Sequence, residues 1–200
     1  GIVAGNKQSK EDRLQGYFAT EVQKYLAAKG RKIIGWDELL ECNVDQSATI
    51  MSWRGAEPGA QAAALGHDVI MTPNSHAYFD YYQTSNNHNE PLLIGGDLPI
   101  EKTYSFEPIP EGTPAEAGKH ILGVQANLWS EYIVSESLAE YQVLPRMGAL
   151  SEVQWMDPAQ KDFKDFVKRV ECLRAIYELK GYTYAKHLWP EEYLKGSREL

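Results

Sequence analysis

The sequence has few of the features that mark several common classes of protein. Its 200 residues include only two cysteines, Cys42 and Cys172, and neither has a Cys-x-x-Cys or Cys/His metal spacing. We therefore predict two free, mostly buried thiols. No apolar run approaches the ~20 residues of a membrane helix, and the first six residues show neither the basic start nor the apolar stretch of a secretion signal. These absences predict a chain with no membrane partner.

Positive charge is also scarce. The chain has 20 Lys and Arg against 28 Asp and Glu, a formal net charge of −8, and its basic residues are spread singly between carboxylates. Nucleic-acid binding needs clustered positive charge, so we predict no nucleic-acid partner. The five histidines are scattered and no pair has helical metal spacing, so we predict neither a metal nor a cofactor. His67, in a Gly-His-Asp turn, is predicted to be structural.

What the chain does contain is typical of one domain with a real core, here residues 1–200, since 43% of its residues are hydrophobic and 24% are charged. Apolar residues at helical spacing predict a helix over Leu14–Leu26 that stops at Gly30. Short apolar runs predict strands at residues 31–36, 48–53, 68–72 and 121–128.

Further helices are predicted in the rest of the chain, at residues 58–65, at 135–155 with a break at Pro145, and from the cap pair Asp157–Pro158 to Gly181. Residues 73–119, punctuated by Asn, Gly and Pro, are predicted to form a long irregular loop with at most one short helix, at 100–104. A loop of this length inside a compact domain is usually functional.

Strands that alternate with helices predict parallel pairing, because each return connection needs a helix to carry the chain back. The predicted fold class is therefore α/β. Four strands fit either a small doubly wound sheet or one half of an eight-stranded barrel, and periodicity alone favours neither.

Three tryptophans lie where predicted strands finish, namely Trp36, Trp53 and Trp129. Ligands of parallel sheets and barrels bind at the carboxyl ends of the strands, so these indoles are expected to share one rim. Indole faces beside carboxylates suit a sugar, whose C–H face packs on the ring while its hydroxyls donate to the acid. The pattern predicts a carbohydrate site, and the alternative is that each indole is a core residue. The other two tryptophans, Trp155 and Trp189, are predicted to pack in the interior.

Five segments of the sequence then resemble, in order, the family 20 glycoside hydrolases, which are β-N-acetylhexosaminidases and their relatives: GWDELL, ATIMSWRG, GHDVIMTPNSHAYFDYYQ, LGVQANLWSEYI and LPRMGALSEVQW. The resemblance is strongest over residues 33–155, and residues 156–200 are a terminal helix and tail. It implies the C-terminal half of a (β/α)₈ TIM barrel, about strands five to eight with their helices. The four predicted strands agree with that.

The resemblance also implies roles for individual residues. Trp36, Trp53 and Trp129 are implied to wall the pocket around the sugar and its acetamido group. Tyr78 is implied to hydrogen-bond the acetamido oxygen, which in this family attacks the anomeric carbon in a substrate-assisted, retaining reaction. The alternative for Tyr78 is a half-buried structural tyrosine.

Two carboxylates complete the implied site. Asp80 and Glu131 are implied to accept hydrogen bonds from the outer hydroxyls of the sugar. The alternative for each is a solvated charge, or an ion-pair partner for Arg54 or Arg146.

One departure from the family limits what the chain can catalyse. Family members carry an Asp-Glu pair in a His-Gly-Gly-Asp-Glu type motif, in which the Asp holds the acetamido nitrogen and the Glu is the general acid, and this motif is absent. The only Asp-Glu pair that follows a predicted strand, Asp37–Glu38, matches a different position, so Glu38 is predicted to be an internal ion-pair member instead. A further family tryptophan has no counterpart between Gln83 and Lys119.

These observations predict part of a secreted or periplasmic exo-β-N-acetylhexosaminidase that acts on glycans ending in N-acetylglucosamine or N-acetylgalactosamine. The isolated chain is predicted to be inactive and to form a homodimer over its open sheet edges, which the N-terminal half of the barrel covers in the full-length protein. A non-catalytic carbohydrate-binding α/β domain is the first alternative. A small doubly wound protein with an unrelated ligand is the second.

Overall fold

The computed structural model describes residues 9–42 and 44–190 and divides into two compact units. In the described part, the first unit comprises residues 9–42, 44–74 and 108–125, and the second comprises residues 75–107 and 126–190. The interpretation of residues 1–200 as one domain stays a prediction, and the end of the predicted tail, residues 191–200, lies outside the described residues.

The first unit is built on a parallel sheet of four strands in the order β1-β2-β3-β4, with β1 at Ile34–Trp36, β2 at Thr49–Ser52, β3 at Val69–Met71 and β4 at Ile121–Val124. Each strand pairs with the next one along the chain. All four lie within their predicted ranges, so the parallel α/β prediction is confirmed. A doubly wound sheet reverses its strand order at a switch point, and these strands do not, so the doubly wound alternative is wrong.

The first helix of the first unit begins where the sequence supplies a capping box. Helix α1 (Lys10–Ala27) starts after Ser9, whose hydroxyl accepts from the backbone N–H of Asp12 while the Asp12 carboxylate accepts from that of Ser9. Helix α2 (Glu57–Ala64) has proline in its first turn and packs closely on the sheet. A Cβ at Gly59 would lie 2.5 Å from the Met71 sulfur and 3.0 Å from the Ser52 Cβ, so a larger residue would force these side chains to shift.

The apolar stripe of α1 faces outward rather than into the core. Leu14, Tyr17, Phe18 and Tyr25 are each more than 60% exposed, whereas the buried face of the helix carries Ala19 and Gln23. The periodicity therefore locates the helix correctly, but the apolar face is uncovered in this chain. Exposed apolar patches of this kind mark surfaces that contact a protein, a membrane or a ligand.

The second unit is mainly helical. Its helices are α3 (Asn74–Ala77, whose first residue belongs to the first unit), α4 (Ile100–Tyr104), α6 (Glu136–Val143), α7 (Arg146–Trp155) and α8 (Phe163–Lys180). The core lies between α4, α7 and α8, where the Tyr104 ring stacks on Phe166 at 4.8 Å between centroids. The predicted break at Pro145 is confirmed by the separation of α6 from α7.

Every helix within the described residues is too short or too polar to span a lipid bilayer.

Two local predictions need correction. The segment 73–119 contains α3, α5 (Ala115–Gly118) and a 3₁₀ turn at Asn87–Asn89 in addition to the predicted α4, so it is less irregular than expected. Asp157 and Pro158 begin a separate 3₁₀ turn, and α8 starts later, where the Asp162 carboxylate accepts from two first-turn N–H groups. The end of α8 at Gly181, in a left-handed conformation, is confirmed.

Two residues that were predicted to be buried are exposed. Trp155, at the end of α7, is 89% exposed instead of packed. Cys172 on α8 is exposed, although Cys42 is buried as expected and both thiols are free. Trp189 does pack, with its ring edge-on to Tyr184 and beneath the Arg174 guanidinium.

Candidate functional site

In the first unit, two of the predicted tryptophans lie at neighbouring strand ends. Trp36 is the last residue of β1, Trp53 directly follows β2, and both side chains are half-buried. The two strand ends are joined through Asp37, which is fully buried. Its carboxylate accepts from the backbone N–H groups of Trp53 at 2.9 Å and Arg54 at 3.1 Å, and from the Arg54 guanidinium.

The Asp37–Glu38 pair is thus part of the scaffold around these tryptophans. Glu38 accepts from the Trp53 indole N–H at 3.1 Å to each carboxylate oxygen and so fixes the orientation of that ring. Glu38 was predicted to join an ion pair, and this prediction is wrong: among the described residues no cation pairs with Glu38. The nearby cation, Arg54, pairs with Asp37 and Glu41 instead.

In the second unit, a short parallel bridge brings the other predicted residues together. The backbone N–H of Phe79 donates to the carbonyl of Asn127 at 2.7 Å, and that of Asn127 donates to the carbonyl of Ala77 at 2.8 Å. The bridge places the Tyr78 ring 6.2 Å from the Trp129 ring between centroids, at an interplanar angle of 60°. Two sequence segments that lie about fifty residues apart therefore meet here.

Tyr78 is buried, with 8% of its surface exposed. Burial raises the pKa of the phenol above its usual value, and hydrogen bonds from the side chains of Trp129 and Asn127 offset part of that rise. Tyr78 is consequently a neutral phenol at physiological pH. N–H donors to its oxygen also set the direction of its O–H bond.

Asp80 is a buried carboxylate, 4% exposed. Burial raises its pKa, while backbone N–H groups, including that of Trp129, and the charge of Arg146 lower it in part. Its Oδ1 atom has no hydrogen-bond partner among the described residues. The ion-pair alternative with Arg146 is wrong, because the guanidinium of Arg146 donates to main-chain carbonyls instead. Glu131 is exposed.

The second unit thus brings together an aromatic ring, a phenol and a buried carboxylate. Trp129 is 40% exposed and presents part of an indole surface to solvent. A buried acceptor oxygen without a protein partner costs free energy unless a ligand or water donates to it, and within the part of the chain that the structure describes Asp80 has such an oxygen. No group of three or more His, Cys, Asp and Glu in the described ranges could hold a metal ion.

Sequence reasoning missed the residues that support this cluster. Asn127 lies two residues before Trp129, and neither its backbone bridge nor its contact with the phenol has a local signal. Arg146 and Gln142 are both fully buried and donate to the backbone around Asp80. A buried arginine and glutamine one turn apart are visible only once the fold is known.

Comparison with known proteins identifies the family. Residues 2–158 match the family model described as the glycosyl hydrolase family 20 catalytic domain. The chain is 42% identical over 180 residues to a β-hexosaminidase of Porphyromonas gingivalis, covering 90% of this chain and 23% of that protein. It is 30% identical to a β-N-acetylhexosaminidase of Cellulomonas fimi, covering 88% of this chain and 35% of that protein. The chain belongs to glycosyl hydrolase family 20, and it spans about a quarter to a third of these relatives.

Solved structures of family 20 enzymes have the same fold as this chain. A family 20 exo-β-N-acetylglucosaminidase from Vibrio harveyi, in complex with N-acetylglucosamine, superposes with a TM-score of 0.78 at 31% identity, covering 92% of this chain and 29% of that one. The parallel sheet of the first unit is therefore that of a TIM-barrel family. The resemblance inferred from the five sequence segments is confirmed.

The buried Asp37 carboxylate gives a direct test of the scaffold in the first unit. We expect Asp37→Ala to lower the free energy of unfolding by about 2 kcal/mol, because two backbone N–H groups lose their acceptor. Glu41→Ala, which removes the other, partly exposed partner of Arg54, should cost less than about 1 kcal/mol. Urea unfolding followed by far-ultraviolet circular dichroism measures both, and equal losses in the two variants would contradict this role of Asp37.

Proposed function

We propose that this chain supplies sugar-binding residues of an exo-acting β-N-acetylhexosaminidase, a retaining enzyme that removes terminal N-acetylglucosamine or N-acetylgalactosamine from glycoconjugates. Family membership supports the reaction class. The finer placement, as the C-terminal half of the barrel with strands five to eight, is supported by four parallel strands in sequential order. A periplasmic or secreted enzyme is the corresponding proposal for the parent protein, which acts without a cofactor.

The single observation that carries the proposal is the group formed by Tyr78, Asp80 and Trp129. A neutral phenol, a buried carboxylate with an unpartnered oxygen and a partly exposed indole lie together in one unit. A sugar with an acetamido group offers a partner to each of them: a carbonyl oxygen, hydroxyl donors and an apolar ring face.

In this proposal, Tyr78 positions the acetamido group of the substrate for the reaction. Its O–H donates to the acetamido oxygen and holds it in line with the anomeric carbon, so that the substrate supplies its own nucleophile. The raised phenol pKa keeps the proton on Tyr78, which therefore positions the amide without competing as a nucleophile. Asp80 and Glu131 accept from the outer hydroxyls, and Trp129 contacts the sugar and its acetamido group.

The general acid is not among the groups that this chain brings to the reaction. The carboxylate of Asp37 is bound by two backbone N–H groups and Arg54, and that of Glu38 by the Trp53 indole. The sequence has no other Asp-Glu pair after a strand. A non-catalytic carbohydrate-binding domain is therefore the second candidate for the isolated chain.

Recognition of the acetamido group by Tyr78 can be measured on the purified 200-residue chain. We expect Tyr78→Phe to weaken the binding of N-acetylglucosamine about tenfold, the equivalent of one buried hydrogen bond, and to leave the weaker binding of glucose unchanged. Tyr182→Phe, at an exposed position of the same unit, should bind like the parent. Tryptophan fluorescence titrations measure these affinities, and an unchanged affinity of Tyr78→Phe for N-acetylglucosamine would contradict the assignment.

The absence of the acid predicts the catalytic outcome. The purified chain should not release the chromophore from an aryl N-acetylglucosaminide, because nothing protonates the leaving oxygen. The measurement is a long incubation with Asp37→Asn and Glu38→Gln variants as matched controls. Turnover that disappears in the Glu38 variant would overturn the proposal and assign the acid to this chain.

The exposed face of α1 predicts self-association of the chain on its own. Its exposed aromatic side chains and the open edges of the sheet are surfaces that another protein can bury. We propose that a second copy of the chain buries them when the rest of the barrel is not present. Light scattering at micromolar concentration should give the mass of a dimer. Phe18→Glu should shift it to a monomer, whereas a monomeric parent chain would refute the proposal.

A further inference from the structure

Arg146 has an unusual place for a cation. Its side chain is fully buried at the start of α7, and its five hydrogen bonds go to main-chain carbonyls. They reach Phe79, Tyr81 at 3.2 Å, Leu98 at 3.0 Å and Gln142. The guanidinium also lies over the Phe79 ring, 4.8 Å from its centroid. A buried charge held by carbonyls rather than by a carboxylate is costly to desolvate, and these hydrogen bonds offset part of that cost.

A second buried side chain binds two of the same carbonyls. The amide nitrogen of Gln142, four residues earlier and near the end of α6, lies 3.2 Å from the carbonyl oxygens of both Phe79 and Tyr81. The carbonyls on either side of Asp80 are thus each bound by both side chains. We call this arrangement of Arg146 and Gln142 on residues 79 and 81 the carbonyl clamp.

We propose that Arg146 and Gln142 are positioning residues: the carbonyl clamp fixes the backbone from Tyr78 to Tyr81 and so sets the Tyr78 phenol and the Asp80 carboxylate in the geometry that binds the sugar. Neither residue contacts the substrate in this proposal. The inference rests on the proposed function for its ligand, but the clamp itself is a property of the ligand-free chain.

Charge gives Arg146 a second effect that Gln142 cannot have. The positive charge opposes the burial that raises the pKa of Asp80, and so it favours the ionised carboxylate. Tyr78, Tyr81 and Glu131 also face Asp80, while Tyr141 and Glu90 face Arg146, and His187 is bonded to Glu90. Because only the ionised carboxylate accepts at both of its oxygens, loss of the Arg146 charge should move the acid limb of sugar binding to higher pH.

Three variants of the 200-residue chain separate geometry from charge. Gln142→Met removes hydrogen bonds of the clamp without changing its charge. Arg146→Lys keeps the positive charge but loses the planar guanidinium that donates to several carbonyls. Arg146→Met loses both the charge and the guanidinium. Arg169→Met is the control, because Arg169 is an exposed arginine paired with Glu152 and Asp165. The readouts are the affinity for N-acetylglucosamine and the pH at which the Asp80 carboxyl carbon titrates by NMR.

We expect Gln142→Met and Arg146→Lys to bind N-acetylglucosamine about fivefold more weakly with the Asp80 titration nearly unchanged. Arg146→Met should bind more weakly still and titrate Asp80 at higher pH, and Arg169→Met should match the parent. Parent-like affinity in both Gln142→Met and Arg146→Lys overturns the proposal, and these two variants decide it if Arg146→Met does not fold.

Failure of the proposed function gives a different result. If the parent chain binds no N-acetylglucosamine, the NMR spectra of the ligand-free variants still test the clamp. Altered Tyr78 ring resonances in Gln142→Met and Arg146→Lys, with those of Arg169→Met unchanged, support positioning by the clamp. Unaltered Tyr78 resonances in both clamp variants overturn it.

Discussion

The main chain of Asn127 pairs with the backbone on both sides of Tyr78, and the candidate site of the second unit depends on this pairing. Two hydrogen bonds, from Phe79 to Asn127 and from Asn127 to Ala77, bring the segment that carries the phenol against the one that carries Trp129. Without them, the indole of Trp129 has no backbone connection to the distant segment that carries the phenol and the carboxylate. Because the bonds are between backbone atoms, the pairing constrains position while leaving the side chains available for chemistry.

Burial then determines what those side chains can do. Desolvation raises the pKa of both Tyr78 and Asp80, which keeps the phenol protonated and makes the charge of the carboxylate dependent on its neighbours. The carbonyl clamp lies behind the same segment and adds a fixed positive charge. A site built in this way is organised before ligand binding, and preorganisation of donors and acceptors is the main means by which enzymes favour one geometry of a substrate.

The first unit shows the same principle with different residues. Asp37 joins the ends of two adjacent strands by binding the backbone of the second, and Glu38 orients the Trp53 ring. Asp37 and Glu38 have the composition of a catalytic dyad, but both carboxylates hold the scaffold of the first unit. Residue type at a strand end indicates a site, but hydrogen-bond partners decide whether a carboxylate is available for chemistry.

Much of the fold could be predicted because its signals are local. Apolar runs, the proline at 145 and the glycine at 181 fix strands and helix ends through steric effects within a few residues. Burial is a property of the whole fold, which explains the errors at Trp155 and Cys172. Helical spacing shows which residues share a face but not whether another element covers it, as the exposed stripe of α1 shows.

The candidate site was only partly accessible to the same reasoning. Strand-end position pointed to Trp36, Trp53 and Trp129, whereas Tyr78, Asp80 and Glu131 required the family resemblance. Asn127 and the clamp residues act through backbone atoms far away in sequence, so no local pattern identifies them.

The central claim is that Tyr78 and Trp129 meet the acetamido group of a sugar. Intermolecular nuclear Overhauser effects between N-acetylglucosamine and the chain test it most directly. We expect cross-peaks from the acetamido methyl group to the rings of Tyr78 and Trp129. Binding with cross-peaks to other aromatic residues and none to these two would contradict it.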